Sequence, residues 1–400
     1  MRRTLIILAI AVLVLGLGAG AYFFFAGTAR VTVAPAGSVS FPVAGQEAPS
    51  AGAATGTSSA PINSPVTVSA RLVKISAGPV VPGEAVVDLK AANASSTPDV
   101  AVDYIEQESG NVFMYLENAK TLTRINNKTV PGIQSAFWLP DASAAFVQYL
   151  SGTDSSTINT YSLAATSSAG FFLPQDLSGV AVSATRALSV ASGATGSSIS
   201  LGHTDGSHFA EIFTTPLAQI RASFAGKNQY LVFSKPSATL PGDAFLVNAN
   251  GHFSRIAGPL SGLVALASPS GKWVLVSSTK NNSAMQMMLV NTATGAALPL
   301  PVATISDKCV WAADDSAVYC AIPANPDPSY LYPDDWYQGA VHFSDRIWKI
   351  DVAGRYAQLV LDFSQANAGA LDAEALATDP SGTTLVFVNK NDGSLWSYSL

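Results

Sequence analysis

Charge is scarce in this chain of 400 residues: Asp, Glu, Lys and Arg make up 12% of it, with 21 basic residues against 27 acidic ones. A typical soluble domain carries about twice that fraction. A net charge of −6 leaves no basic face of the kind phosphate binding requires, so a nucleic-acid partner is excluded. Four histidines and two cysteines are too few for a zinc-finger array or a disulfide-dense scaffold. There is no Gly-x-Ser-x-Gly elbow, no phosphate-binding Walker loop, no His-Glu-x-x-His and no Cys-x-x-Cys. His203 and His208 bracket the turn Thr204-Asp-Gly-Ser207, where solvated turn residues fit better than a metal pair. The expectation is therefore no cofactor and no metal, with enzymatic activity left open but not favoured. Apolar residues are not scarce. At 48% of the chain they exclude a disordered acidic polypeptide and leave ample material for a core.

The apolar residues are unevenly placed, and this divides the chain into three. Residues 1–27 contain the uncharged run Leu5 to Phe25, about the length a helix needs to cross a bilayer core. Arg2 and Arg3 lie on one side of it, so the positive-inside rule keeps the N-terminus cytoplasmic and exports the rest. A cleaved signal peptide is the competing reading, with small residues at Gly16 to Ala21. Tyr22, Phe23, Phe24 and Phe25 extend the apolar run beyond a usual signal core and favour a retained anchor. Residues 28–67 are mostly Ala, Gly, Ser, Thr, Pro and Val, which reads as a flexible tether. Residues 68–400 form the folded domain. The expected location is the cell membrane, single-pass, with that domain outside the cytoplasm.

Within residues 68–400 a turn followed by a short alternating apolar run recurs. Its second turn position falls at 99, 142, 185, 228, 271, 315 and 382, so successive gaps are 43, 43, 43, 43, 44 and 67. Trp138, Phe224 and Trp311 hold a common offset just before the turn. Gly251, Gly295 and Gly354 follow short apolar strands at a second hairpin, where a positive φ is expected. Four strands in each period of ~40–45 residues is the blade of a β-propeller. The predicted fold is all-β, a seven-bladed propeller of four-stranded antiparallel blades preceded by one N-terminal transmembrane helix. Ser394 to Ser399 reads as the third strand of the last blade. The strand Ala70 to Ser76 is expected to supply the fourth and latch the ring.

The segments Leu266-Ala-Ser-Pro269-Ser-Gly-Lys-Trp-Val-Leu275 and Thr378-Asp-Pro380-Ser-Gly-Thr-Thr-Leu-Val-Phe387 resemble the TolB-type, WD-repeat-like propeller signature. Tyr332 to Gly339, Phe343 to Trp348 and Phe387 to Trp396 resemble a group of uncharacterised bacterial membrane-anchored propeller proteins. The resemblance covers roughly residues 70 to 400. It implies fold and topology, and carries no functional residue with it.

Two local features stand out. Cys309 and Cys320 lie equidistant from a turn at Asp314 and Asp315, which pairs them directly across a hairpin. Such a pair suits a disulfide in an oxidising compartment, or else forms two small buried hydrophobes. The 23 residues beyond one period lie between the second and third strands of blade six, about Pro323 to Phe343. They carry Tyr330, Tyr332, Trp336 and Tyr337 beside Asp327, Asp334 and Asp335. Aromatics with a polar tip are enriched at binding surfaces, so Tyr330, Tyr332, Asp334, Asp335, Trp336 and Tyr337 are the candidate contact residues. Alternatively the aromatics fold back and plug the blade or the channel. The acidic residues do not follow the spacing of a calcium-binding EF-hand loop.

The functional expectation is a membrane-anchored binding or scaffolding module outside the cytoplasm, joining a protein partner in the cell envelope. The alternative is an exported hydrolase or lyase with its site at the central channel. A propeller peptidase would need an α/β-hydrolase domain after the ring, and the expectation is a ring alone.

Overall fold

The computed structural model describes residues 66–67, 71–90, 98–128 and 130–400. The expected membrane span and almost all of the tether lie outside the described residues. Among the described residues no helix is long and apolar enough to cross a membrane.

Seven antiparallel sheets follow one another along the chain, each numbered here as a blade with strands A to D in sequence order. Blade one runs through Ala85–Leu89, Asp99–Ile105, Val112–Leu116 and Thr121–Asn126. Blade four, Ile220–Phe224, Gln229–Ser234, Pro241–Asn248 and Phe253–Ser261, shows the same plan. A strands of neighbouring blades approach one another, as Leu177–Val182 does with Ile133–Trp138 and Ile220–Phe224, so they line the axis. Trp138, Phe224 and Trp311 each end an A strand.

The ring is closed by its N-terminal end. Leu72–Lys74 pairs with Ser394–Ser399, with Leu72 opposite Tyr398, and is the fourth strand of blade seven. A further two-residue strand, Val66–Thr67, pairs outside it, giving this blade a fifth strand that the repeat did not announce. Blade two departs the other way. Its three regular strands are joined by an irregular outer segment that touches the third at Tyr161 and Phe172. Gly170 lies so close to Tyr161 that a Cβ there would fall 2.1 Å from the phenol oxygen, which prevents a regular pleat.

Seven apolar clusters hold the ring, one in each gap between neighbouring blades, including the gap between blades seven and one. A blade sheet has two apolar faces and buries both only by stacking on its neighbours, so closure removes the last exposed face. The predicted turns fall as expected at Ala142, Gly271, Asp315 and Gly382, all with positive φ. In blade four the left-handed residue is Gly226 rather than Asn228, and at the last of the second hairpins it is Arg355 rather than Gly354. At Gly354 a Cβ would meet the exposed Tyr356 ring at 2.7 Å, so a larger residue there would displace that ring.

Antiparallel connection sorts the loops onto two faces. A–B and C–D turns lie at one end of every blade. B–C turns and the links to the next blade lie at the other. The long insertion joins Ala317–Pro323 to Asp345–Asp351 in blade six, and therefore sits on the B–C face.

Candidate functional site

The insertion does not stand off the ring. Tyr332 is 0% exposed and Trp336 is 3% exposed; both join Phe343 in the apolar layer between blades four and five. Three hydrogen bonds staple it to neighbouring loops. The Tyr332 amide donates to the Asn282 carbonyl at 2.9 Å, the Ala238 amide to Asp334 Oδ2 at 2.9 Å, and the Tyr337 hydroxyl to Asp307 Oδ2 at 2.6 Å. Asp335 Oδ2 accepts from the Leu331 amide at 2.7 Å, which fastens the entry to a single helical turn, Asp334–Tyr337. Arg221 completes the Tyr337–Asp307 pair, 2.6 Å from the carboxylate and 5.0 Å from the ring centre. Burial, reinforced by Asp307, holds the Tyr337 phenol well above its ordinary pKa.

Beneath Trp336 lies a buried ionic knot. Lys308 ends a short 3₁₀ turn, Ser306–Lys308, and is wholly enclosed. An ammonium has three donors and no acceptor. Here all three are used, by Asp345 Oδ2 at 2.9 Å, the Ala373 carbonyl at 2.9 Å, and Asp372 Oδ1. Asp372 also accepts from Trp336 Nε1 at 3.1 Å and from the Phe343 amide at 3.0 Å. The Trp336 ring lies between two ammonium groups, Lys308 at 4.7 Å and Lys390 at 4.8 Å from its centre. Lys390 is itself paired with Glu374 at 3.1 Å. Asp345 Oδ1 has no partner, and burial pushes the Asp345 carboxyl up to about 6 against the pull of Lys308 and with the push of Asp372.

The structure therefore divides the sequence-derived candidates. Tyr332 and Trp336 are core residues and cannot meet a partner, because their rings fill the layer between blades and cap the Lys308 knot. Tyr330, Asp334, Asp335 and Tyr337 are half-buried, and three of the four are occupied in the contacts just described. The large apolar residue that the insertion exposes is Leu331, at 41%, and the neighbouring loop bonded to Asp334 carries Leu240, at 69%. Neither leucine stood out in the sequence, where composition gave no sign of which loop residues would point outward. Asp327 Oδ1 is taken by Ser329, and among the described residues no three His, Cys, Asp or Glu side chains form a group able to hold a metal ion. Cys309 and Cys320 face each other in register and are joined by a disulfide on the inner edge of blade six.

The other acidic groups of interest lie near the axis. Glu84 enters the first A strand and lines a central cavity of about 280 Å³ with Trp138 and Trp311. Neither of its carboxyl oxygens makes a well-formed hydrogen bond. Burial lifts its pKa well above the ordinary carboxylate value, the Gly83 amide pulls it down, and Glu374 adds to the rise. On the next strand Asp103, opposite Ala85, is raised to about 7 by burial alone. A raised carboxyl confers stability that is complete below its unfolded pKa near 4 and is lost as pH climbs through 7. The shift corresponds to about 2–4 kcal/mol. Asp103→Asn is expected to shrink the loss of stability between pH 5 and pH 8 by that amount. Urea midpoints at the two pH values check this, and an unchanged difference would show that Asp103 ionises freely.

The A–B face carries a second recess, of about 960 Å³, at the turns of blades three to five. Arg186, Lys227, Asn228, Tyr230 and Phe224 contribute to its wall.

No protein-family model matches the sequence, and no curated protein is significantly similar to it. Solved structures similar in fold include an oligogalacturonate lyase from Vibrio parahaemolyticus (9% identity, 82% of this chain and 93% of that one, TM-score 0.55). An oligogalacturonate lyase in complex with manganese gives 9% identity over 81% and 98% of the two chains, with a TM-score of 0.54. TolB from Acinetobacter baumannii is a looser neighbour, at 13% identity, 69% and 62% coverage and a TM-score of 0.44. At such identities the likenesses concern the fold alone: this chain is a seven-bladed β-propeller.

Proposed function

We propose that the chain is a membrane-anchored propeller outside the cytoplasm that binds or scaffolds a protein partner in the cell envelope. The observation that carries this reading is the state of the insertion. It is stapled to three neighbouring loops, and it leaves Leu331 exposed while the loop bonded to its Asp334 exposes Leu240. Exposed apolar residues on a rigid rim favour association, because little ordering entropy is lost on contact. The ionisable groups beneath the insertion are buried and mutually paired, so they offer a substrate no access.

The test is site-specific photocrosslinking of the full-length chain in native membranes, with the probe at 331, at 240, or at 227 on the opposite face. A discrete adduct from the first two positions only, lost in Leu331→Ser with Leu240→Ser, is expected. The same pattern from all three positions, or none from any, would remove the reading.

The second reading, an exported lyase or hydrolase acting from the channel, rests on Glu84. A carboxyl whose pKa is raised by burial is suited to give a proton. Assay of the full-length chain on oligogalacturonates, with Glu84→Gln alongside, tests it; absence of any Glu84-dependent turnover eliminates it.

A further inference from the structure

We infer that the recess on the A–B face is a binding site for a small solute bearing an oxyanion, a carboxylate, phosphate or sulfate group. This is separate from the contact surface proposed above, which lies on the other face of the ring.

Charge sets this recess apart. In an acidic chain poor in basic residues, two of them share this recess, and no Asp or Glu lines it. Arg186 opens the B strand of blade three, and Lys227 stands at the tip of the A–B turn of blade four. Neither side chain makes an ion pair or a hydrogen bond among the described residues. This contrasts with Arg221, Lys308 and Lys390, each of which is held by a carboxylate. Arg186 Nε is enclosed and meets no acceptor at all, so the guanidinium sits in the wall with donors unspent. An unused buried donor is costly, and an acceptor brought within its reach recovers that cost. Asp315, beside the rim, is engaged by the Ser268 hydroxyl and by the hydroxyl and amide of Ser270.

The recess is also shaped and firm. Tyr230 and Phe224 form an aromatic side, with ring centres 6.0 Å apart. The floor is closed where two A–B turns interlock: a Cβ on Gly226 would lie 2.4 Å from the Ser270 carbonyl oxygen, and one on Gly271 would lie 2.5 Å from that of Ala225. A pocket with an apolar wall and a few convergent polar groups is the usual form of a small-molecule site, and 960 Å³ is at the upper end of its size. A fork-shaped guanidinium and an exposed ammonium sharing a recess with two aromatic rings suit a planar or ring-bearing anion.

The test is isothermal titration of the full-length chain with inorganic phosphate, sulfate and glucuronate, each at constant ionic strength. Saturable binding of at least one is expected, and the ranking among the three identifies the oxyanion. Arg186→Gln should weaken it about tenfold or more, and Lys227→Gln about fivefold. Lys227 is exposed, so its variant folds normally and keeps the test informative even where Arg186→Gln does not. No saturable binding by 20 mM of any probe (roughly −2 kcal/mol by affinity arithmetic) would overturn the inference. So would binding that both variants retain unchanged.

Discussion

Lys308→Met is expected to destabilise the ring by about 3–5 kcal/mol at pH 7, the cost of stranding buried charge when one partner of a buried pair is removed. Among the described residues, Lys308 is the only cation in contact with both Asp345 and Asp372, which are themselves enclosed. Without it the two carboxylates face each other across a dry space, and protonating them becomes cheaper than folding around them. Burial already raises the Asp345 carboxyl, and without the pull of Lys308 it rises further. The deficit is therefore greatest at neutral pH and shrinks as pH falls through that raised value, because protonation relieves it. Adding Asp345→Asn and Asp372→Asn to Lys308→Met is expected to restore a large part of the loss. Denaturation midpoints at pH 7 and pH 4.5 for the three proteins measure this. A Lys308→Met protein as stable as the parent at pH 7 would mean that the knot is wet and its charges are screened.

Trp336→Ala is expected to cost about 3–5 kcal/mol, the range for deleting a large buried aromatic. Trp336 is enclosed against Phe343 and Tyr337, and its indole N–H donates to Asp372. Trp336→Phe retains most of the volume and removes only that donor, so a smaller loss of about 1–3 kcal/mol is expected. Leu331→Ser, on the exposed side of the same loop, should leave the melting midpoint nearly unchanged. Thermal melts of the three variants separate the loop's inner and outer faces. If Trp336→Ala melts with the parent, the insertion peels from the ring in solution and its aromatics are available for contact after all.

The turn at Ser270-Gly271 and its counterparts is local: a tight turn followed by alternating apolar positions specifies a hairpin wherever it occurs, so seven copies counted seven blades. The opposition of Cys309 and Cys320 follows from the same hairpin geometry, and the latch at Leu72–Lys74 from a strand left without a blade. The insertion is different. Tyr330, Tyr332, Trp336 and Tyr337 have one composition whether they face solvent or core. What buries Tyr332 is the layer between blades four and five, and Trp336 is also held there by Lys308 and Asp372, which stand 64 residues apart in the chain.

The amino-acid sequence by itself determined the period, the number of blades, the strand that closes the ring and the place of the insertion between two strands of blade six. Each of these depends on interactions within a hairpin or between adjacent strands, and such interactions leave a periodic trace. Only the tertiary structure decided which side of the insertion faces inward, that Lys308 is neutralised by Asp345 and Asp372, and that Arg186 and Lys227 share a recess free of carboxylates. Those arrangements arise when ring closure brings different blades together, and distance along the chain carries no record of which blade ends will meet.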